Sequence, residues 1–178
     1  LVPGAHEGRG LGNRFLDELT AADVVLQVVD ASGGTNAEGE PIEPGSRDPV
    51  ADVDFVDEEL GRWLTGLVDD NWESVERKSR SPAFDLEESL TAMLTGVGAT
   101  EPDVTAVLRD LEYPQDPKQW TGADRERLAR AIRSRTKPMV VVANKADAAP
   151  EATLDRLRAG TDKPVVPATA DGELALRR

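Results

Sequence analysis

Apolar residues cluster in three short runs, and the spacing between them is uneven. The stretch DVVLQVVDASGG, residues 23–34, predicts a buried strand that ends in a turn. MVVVA, residues 139–143, predicts a second strand after Lys137-Pro138, and PVVPA, residues 164–168, a third. Such unbroken runs, bounded by Asp, Gly or Pro, suit a parallel sheet covered on both faces. Residues 151–159, between the second and third runs, predict the crossover helix, so this pair should be parallel and joined right-handedly. Residues 13–20 predict a short helix behind a Gly-rich loop.

More than a hundred residues separate the first two strands, and their pattern is helical. Residues 35–47 form a loop rich in Gly, Pro and Glu. A long helix then opens with Asp48 as N-cap and Pro49 at the first helical position, with Asp52 and Asp54 near the positive end of its dipole. Its apolar residues, from Val53, Val56 and Leu60 through Leu64 and Val68 to Trp72 and Val75, recur at steps of three and four. Three more helices are predicted: 86–97 behind Asp85-x-x-Glu88, 101–112 behind Thr100-x-x-Asp103, and 122–136 behind Thr121-x-x-Asp124. Gly96 and Gly98 suit a C-cap. The expected organisation is therefore an α/β domain in two parts, 1–34 and 138–178, around an all-helical insertion over 35–137.

Composition narrows the function classes. The chain has 178 residues, of which 39% are hydrophobic, enough for one ordinary core or one domain with an insertion. No run of eighteen apolar residues occurs, so no membrane partner is expected. The first residues lack the basic and apolar regions of a secretory signal. With no cysteine there is no disulfide framework or thiolate metal site, in keeping with a cytoplasmic address. A net charge of −13 argues against binding nucleic acid through bulk electrostatics. Thirty-four acidic residues beside sixteen Arg and five Lys suit a salt-rich cytoplasm; a merely acidic protein from a GC-rich coding sequence is the other reading.

The second strand runs directly into Asn144-Lys145-Ala146-Asp147. Side chains at the carboxyl end of a parallel strand project into the crevice where α/β proteins place their ligands. The two oxygens of Asp147 can accept from the ring N–H and exocyclic amino group of guanine, a donor pair that adenine does not offer. Asn144 can bond the base and neighbouring loops, and the Lys145 stem can lie across the ring with its ammonium held elsewhere. After the third strand, Thr169 and Ala170 can bring backbone N–H groups to the same base. A plain helix-capping turn is the competing reading of the four letters.

These residues resemble the base motifs of Obg-type GTPases in the translation-factor-related class, and most of all the archaeal branch of the YchF (Obg-like) family. Asn144-Lys145-Ala146-Asp147 is similar to the family's base motif and Thr169-Ala170 to its second base loop. LVPGAHEGRGLGNRFLDELTAADVVLQVVDASG, residues 1–33, resembles the segment from behind Asp-x-x-Gly through switch II to the fourth strand. The resemblance implies a P-loop NTPase fold of Ras-like, Obg type, with GTP or GDP as ligand, the helical insertion between the fourth and fifth strands, and a ribosome-associated partner. Because both Lys and Asp of the base motif are kept, it favours GTP over ATP. No Gly-x-x-x-x-Gly-Lys-[Ser/Thr] occurs. The phosphate loop, switch I and the Mg²⁺ ligands are thus expected upstream of Leu1 and a TGS domain beyond Arg178, and the 178 residues alone are expected not to hydrolyse nucleotide.

The resemblance also places Leu1 where Ras-like proteins carry the water-orienting Gln. His6, the one histidine, is a candidate water-positioner or phosphate contact in the switch segment, beside the reading as a solvated loop residue; Arg9 stands likewise. No other catalytic residue and no metal ligand is assigned. Gly8 to Asn13 is G-x-G-x-G rather than a dinucleotide fingerprint, and suits a loop that changes conformation. Asp57-Glu58-Glu59 and Glu87-Glu88 are expected on solvated helix faces, Trp63 and Trp72 in the core, and Trp120 is left open between base stacking and packing. Arg125, Arg127, Arg130, Arg133, Arg135 and Lys137 form a basic stripe with two readings, RNA or ribosome contact and pairing with the acidic long helix. A helical interaction module without nucleotide binding is the alternative function. If the first strand of the family's sheet pairs with the strand near Asp23, the isolated chain exposes an edge and should dimerise or aggregate. Sedimentation of this chain as a monomer with a sharp, cooperative melt would contradict that expectation.

Overall fold

The computed structural model describes residues 21–36 and 38–177. The helix expected over 13–20, with Leu1, His6 and Arg9, lies outside them. Three strands, β1 (Val25–Asp30), β2 (Met139–Asn144) and β3 (Val165–Pro167), form one parallel sheet in the order β1-β2-β3. The register pairs Val25 with Met139 through to Asp30 with Asn144, and Val141 with Val165. Six helices accompany them: α1 (Pro49–Lys78), α2 (Leu86–Leu94), α3 (Glu101–Asp110), α4 (Gly122–Thr136), α5 (Glu151–Gly160) and α6 (Ala170–Leu176). The described chain divides into two compact units, one comprising 24–58 with 139–177, the other 59–138 with 21–23. The division falls inside α1, between Glu58 and Glu59.

In the sheet unit, one face is covered. Val29, Val141 and Ala143 pack with Val53 of α1 and Leu157 of α5, joined by Val50, Leu154 and Val165. Gln27, buried in mid-strand, donates through Nε2 to the Asp52 carbonyl at 2.7 Å, so β1 holds the first turn of α1 by a polar as well as an apolar contact. Here the structure departs from the apolar runs. Side chains alternate across a strand, and Leu26 and Val28 on the opposite face are 65% and 63% exposed, with Val24 and Val166 also exposed. An unbroken apolar run therefore marks two apolar faces, of which one is covered among the described residues.

The loop from β1 to α1 is ordered by hydrogen bonds rather than by an apolar core. Asp30 Oδ1 accepts from the Ser32 amide at 2.9 Å and its hydroxyl at 2.6 Å. The Ser32 carbonyl accepts from Gly45 N at 2.8 Å, the Gly34 carbonyl from Ile42 N at 2.9 Å, and the Gly33 carbonyl from Arg47 N at 3.2 Å. Asn36 caps the tip by accepting from Glu38 and Glu40 amides. The Arg47 guanidinium grips the Asp52 carboxylate with two nitrogens and closes the loop onto α1.

The helical unit has a core of its own. Leu64, Val68, Trp72 and Val75 of α1 meet Leu90 and Leu94 of α2, Val104 and Val107 of α3, and Leu128 and Ile132 of α4. Trp120 joins this core: its ring lies 4.9 Å from that of Trp72 and 5.3 Å from that of Tyr113, and Nε1 donates to the Pro114 carbonyl at 2.8 Å. It is a packing residue, not a stacking platform. The capping signals act as read: Asp85 accepts from Glu88 N, and Thr100 with Asp103 and Thr121 with Asp124 form reciprocal boxes. Two helices stop short of their patterns. Residues 95–97 tighten into a 3-10 turn closed by Gly98 at φ 84, and α3 ends at Asp110 because Leu111 is already extended. Glu59 corrects the expected solvated face: it is 2% exposed and lies 3.6 Å from the Arg62 guanidinium.

Gly33 has φ 64, and a Cβ there would stand 2.3 Å from the Arg47 carbonyl oxygen. Gly33→Ala is expected to destabilise the sheet unit by about 1–3 kcal/mol. An unchanged denaturation midpoint would contradict this account of the loop.

Candidate functional site

The three strands end together, and the loops that leave them meet. β1 delivers Asp30 and the turn to Thr35, β2 delivers Asn144 to Asp147, and β3 delivers Thr169 and Ala170 to the start of α6. Register explains the meeting, because Asp30 lies opposite Asn144 and Ala143 opposite Pro167. Backbone bonds continue the pairing past the strands: Ala31 N donates to the Asn144 carbonyl at 2.9 Å, Ala168 N to the Ala143 carbonyl at 2.9 Å, and Ala146 N to the Ala168 carbonyl at 3.0 Å.

Each candidate side chain has a distinct place. Asn144 Oδ1 accepts from the Ala170 amide at 3.1 Å, tying the second loop to the first. That amide is thereby committed to Asn144, whereas the sequence reading aimed it at a base. The Thr169 carbonyl accepts from Glu173 N at 3.0 Å and starts α6. Lys145 is the one non-glycine with positive φ among the described residues, at 59°. Its ammonium donates to Asp30 Oδ2 at 2.7 Å and to Thr35 Oγ1 at 3.0 Å. Asp147 is exposed, and no hydrogen bond to it occurs among the described residues. Both of its oxygens remain available as acceptors. A desolvation penalty of the kind that enforces discrimination arises there only when a bound group covers the carboxylate.

Asp30 was not among the residues read from the pattern, and it is the most perturbed acid of the site. Burial acts to raise its pKa, but the hydrogen bonds from Lys145, Ser32 and Thr35 outweigh burial and hold it at about 2. The missed signal was the Asp at the end of the first apolar run, visible in sequence but 115 positions from its cation.

The basic stripe of α4 is engaged within the protein. Arg125 bonds Asp69 of α1, Arg127 bonds Asp124 and the Glu112 carbonyl, Arg130 bonds Glu126 at 2.9 Å, and Arg135 lies 3.5 Å from Asp103. Arg133 is buried, and Lys137 donates to the Ala22 carbonyl at 2.8 Å. Arg125 thus reaches the long helix, whereas Arg127, Arg130 and Arg135 bond α3, α4 itself or the loop between them. A concavity of about 580 Å³ in the helical unit is lined by Asp85, Glu87, Glu88, Thr91, Ala92 and Glu101 and is therefore unsuited to an anion.

A parallel sheet whose loops converge at the carboxyl ends of the strands, with helices intervening between the first and second, is the arrangement of a P-loop NTPase domain of the Ras-like, Obg type. The chain matches the crystal structure of a GTP-binding protein from Pyrococcus horikoshii with a TM-score of 0.84 and 36% identity, covering 92% of this chain and 48% of that one. An uncharacterized GTP-binding protein of Methanocaldococcus jannaschii is 42% identical over the whole of this chain, which spans 44% of that relative's length. The YchF GTPase of Schizosaccharomyces pombe shares the fold, at a TM-score of 0.53 and 21% identity over 94% of this chain and 45% of its own. No family model matches the chain. The chain belongs to the YchF-type, Obg-like family. Among the described residues no helix is long and apolar enough to cross a membrane.

The depressed pKa of Asp30 has a definite sign. Its folded value of about 2 lies below the ordinary 3.8, so its stabilisation is present above about pH 4 and is lost as pH falls toward 2. The difference corresponds to at most about 2.5 kcal/mol. Asp30→Asn should therefore be less stable than the parent at about pH 6, with the gap clearly narrower by about pH 2.5. A gap of equal size at both pH values, measured by urea unfolding, would refute the assignment.

Proposed function

We propose that the protein binds guanine nucleotide at the mouth of the sheet, with Asp147 accepting from the ring N–H and the exocyclic amino group of the base. One observation carries the reading. In the Asn144-Lys145-Ala146-Asp147 turn, the amide and the ammonium are both engaged by neighbouring loops, while the carboxylate has no hydrogen-bond partner among the described residues. An acceptor left open beside two anchored groups suits a ligand edge that offers two donors. The names of the archaeal relatives, both described as GTP-binding, support the same reading.

In this reading Asn144 braces Ala170 and the second base loop, and the Lys145 stem lies along the base. Phosphates and Mg²⁺ are held by residues outside this chain, since it contains no phosphate-loop motif. Hydrolysis in the whole protein drives the switch segment, residues 1–13, between two arrangements, with His6 as a candidate contact. A cytoplasmic, ribosome-associated role belongs to the same proposal. Residues 35–137 are then the inserted region that a partner would meet.

Titration of the full-length protein with fluorescently labelled GDP and ADP tests this. Guanine selectivity should fall by about tenfold or more in Asp147→Ala while the fold is retained. Equal binding of the two nucleotides by the parent, or selectivity unchanged in Asp147→Ala, would overturn base reading. Retained binding to ribosomes with no nucleotide binding would favour a helical interaction module instead.

A further inference from the structure

We propose that Asp30 and Thr35 are positioning residues of the base loop, holding the Lys145 ammonium at the end of β1 so that it neither swings onto Asp147 nor releases the turn. The inference rests on the reading of Asp147 as the base acceptor. It begins from a rivalry within one turn. Lys145 and Asp147 are two positions apart, carry opposite charges and are both exposed. A flexible four-carbon stem brings an ammonium readily to such a carboxylate, and an acid so paired would lose acceptor capacity for a ligand.

In this structure the ammonium goes the other way. Asp30 Oδ2 and Thr35 Oγ1 receive it at 2.7 and 3.0 Å. The receiving carboxylate is itself fixed. Ser32 N and Ser32 Oγ bond one oxygen, and Thr35 Oγ1 and Lys145 Nζ bond the other, which fills the acceptor sites of a carboxylate. Thr35 links the pair in series, donating to Asp30 and accepting from Lys145. The side chain of Asp30 is 13% exposed against 45% for Lys145, so the anchor is the better shielded partner.

The backbone supports the same role. Lys145 holds φ 59, a conformation that L residues with a Cβ adopt at some cost. A strained residue persists when its surroundings over-determine it, and here the side-chain anchor and the strand-end pairing of Asp30 with Asn144 do so together. The loop 31–47 thereby reports on the base turn: Thr35, where its stem ends, touches the lysine that precedes the reader by two positions.

A double-mutant cycle in the full-length protein, read with labelled GDP and ADP, tests the proposal. Asp30→Asn should weaken labelled GDP by about tenfold, with a smaller change for ADP. Lys145→Met keeps the stem and removes the charge. The double variant should bind GDP no worse than Lys145→Met alone, because once the ammonium is gone Asp30 has nothing to hold. Thr35→Val, which keeps the Asp30 charge, should show a smaller loss with the same coupling to Lys145→Met. Losses that multiply in both cycles, or parental GDP affinity in Asp30→Asn, would overturn the positioning role. If the parent holds GDP and ADP equally, base reading itself fails and this proposal with it, whereas a selective parent with multiplying losses condemns the positioning role alone. Should Asp30→Asn fail to fold, the Thr35→Val cycle decides the matter in the same way.

Discussion

The parallel pairing of β1 with β2 is the constraint from which the rest of the site follows. Its register ends with Asp30 beside Asn144, so two loops distant in the chain leave the sheet at the same point. An ion pair between Asp30 and Lys145 then becomes geometrically available without any dedicated scaffold. A shift of one residue would turn Asp30 to the opposite face and remove its carboxylate from the cluster. Packing of Val29, Val141 and Ala143 against α1 and α5 is what prevents that shift. Apolar contacts on one side of the sheet thus hold polar chemistry at its end.

The two units rely on different physics. The helical unit is stabilised by an apolar cluster into which four helices insert Leu, Val, Ile and Trp, with a polar contact within it where Trp72 Nε1 donates to the Pro117 carbonyl at 3.3 Å. The sheet unit has fewer buried apolar residues and leans on hydrogen bonds made by side chains: Gln27 to the Asp52 carbonyl, the Ser32 amide to Asp30, and Arg47 to the Asp52 carboxylate. Burial per residue differs accordingly, and so does the expected response to substitution. Removing a methyl group from the helical core leaves a void, whereas removing a donor from the β1–α1 loop leaves an unpaired acceptor.

Local signals were legible in the sequence, and non-local pairings were not. The three strands, the N-caps at Asp85, Thr100 and Thr121, and the stripe of α1 follow from spacing over a few positions, and each occurs where its pattern lies. Helix ends were less legible, because Leu111 is apolar enough to continue a stripe yet turns extended. Glu59 looked solvated because it stands in an acidic run, but its position between Val56 and Leu60 turns it inward. The Asn144–Asp147 turn stood out in the sequence by its position after a strand; what holds it did not. Lys145 and Asp30 are paired across 115 positions, and no periodicity encodes such a contact. Trp120 was undecidable for the same reason, since its partners Trp72 and Tyr113 flank it from different segments.

The tip of the β1–α1 loop is built apart from its stem. Thr35 and Pro41 bridge across the loop, and beyond that bridge Glu38, Gly39 and Glu40 face outward, with nothing within 4 Å of where a Cβ on Gly39 would stand. The groups that receive the lysine, Asp30 and Thr35, lie on the near side of the bridge or in it. Chain length and composition can therefore drift at the tip without disturbing the anchor, as exposed loop tips commonly allow. A reporter dye or a grafted peptide would find there an attachment point close to the Asn144–Asp147 turn yet mechanically insulated from it.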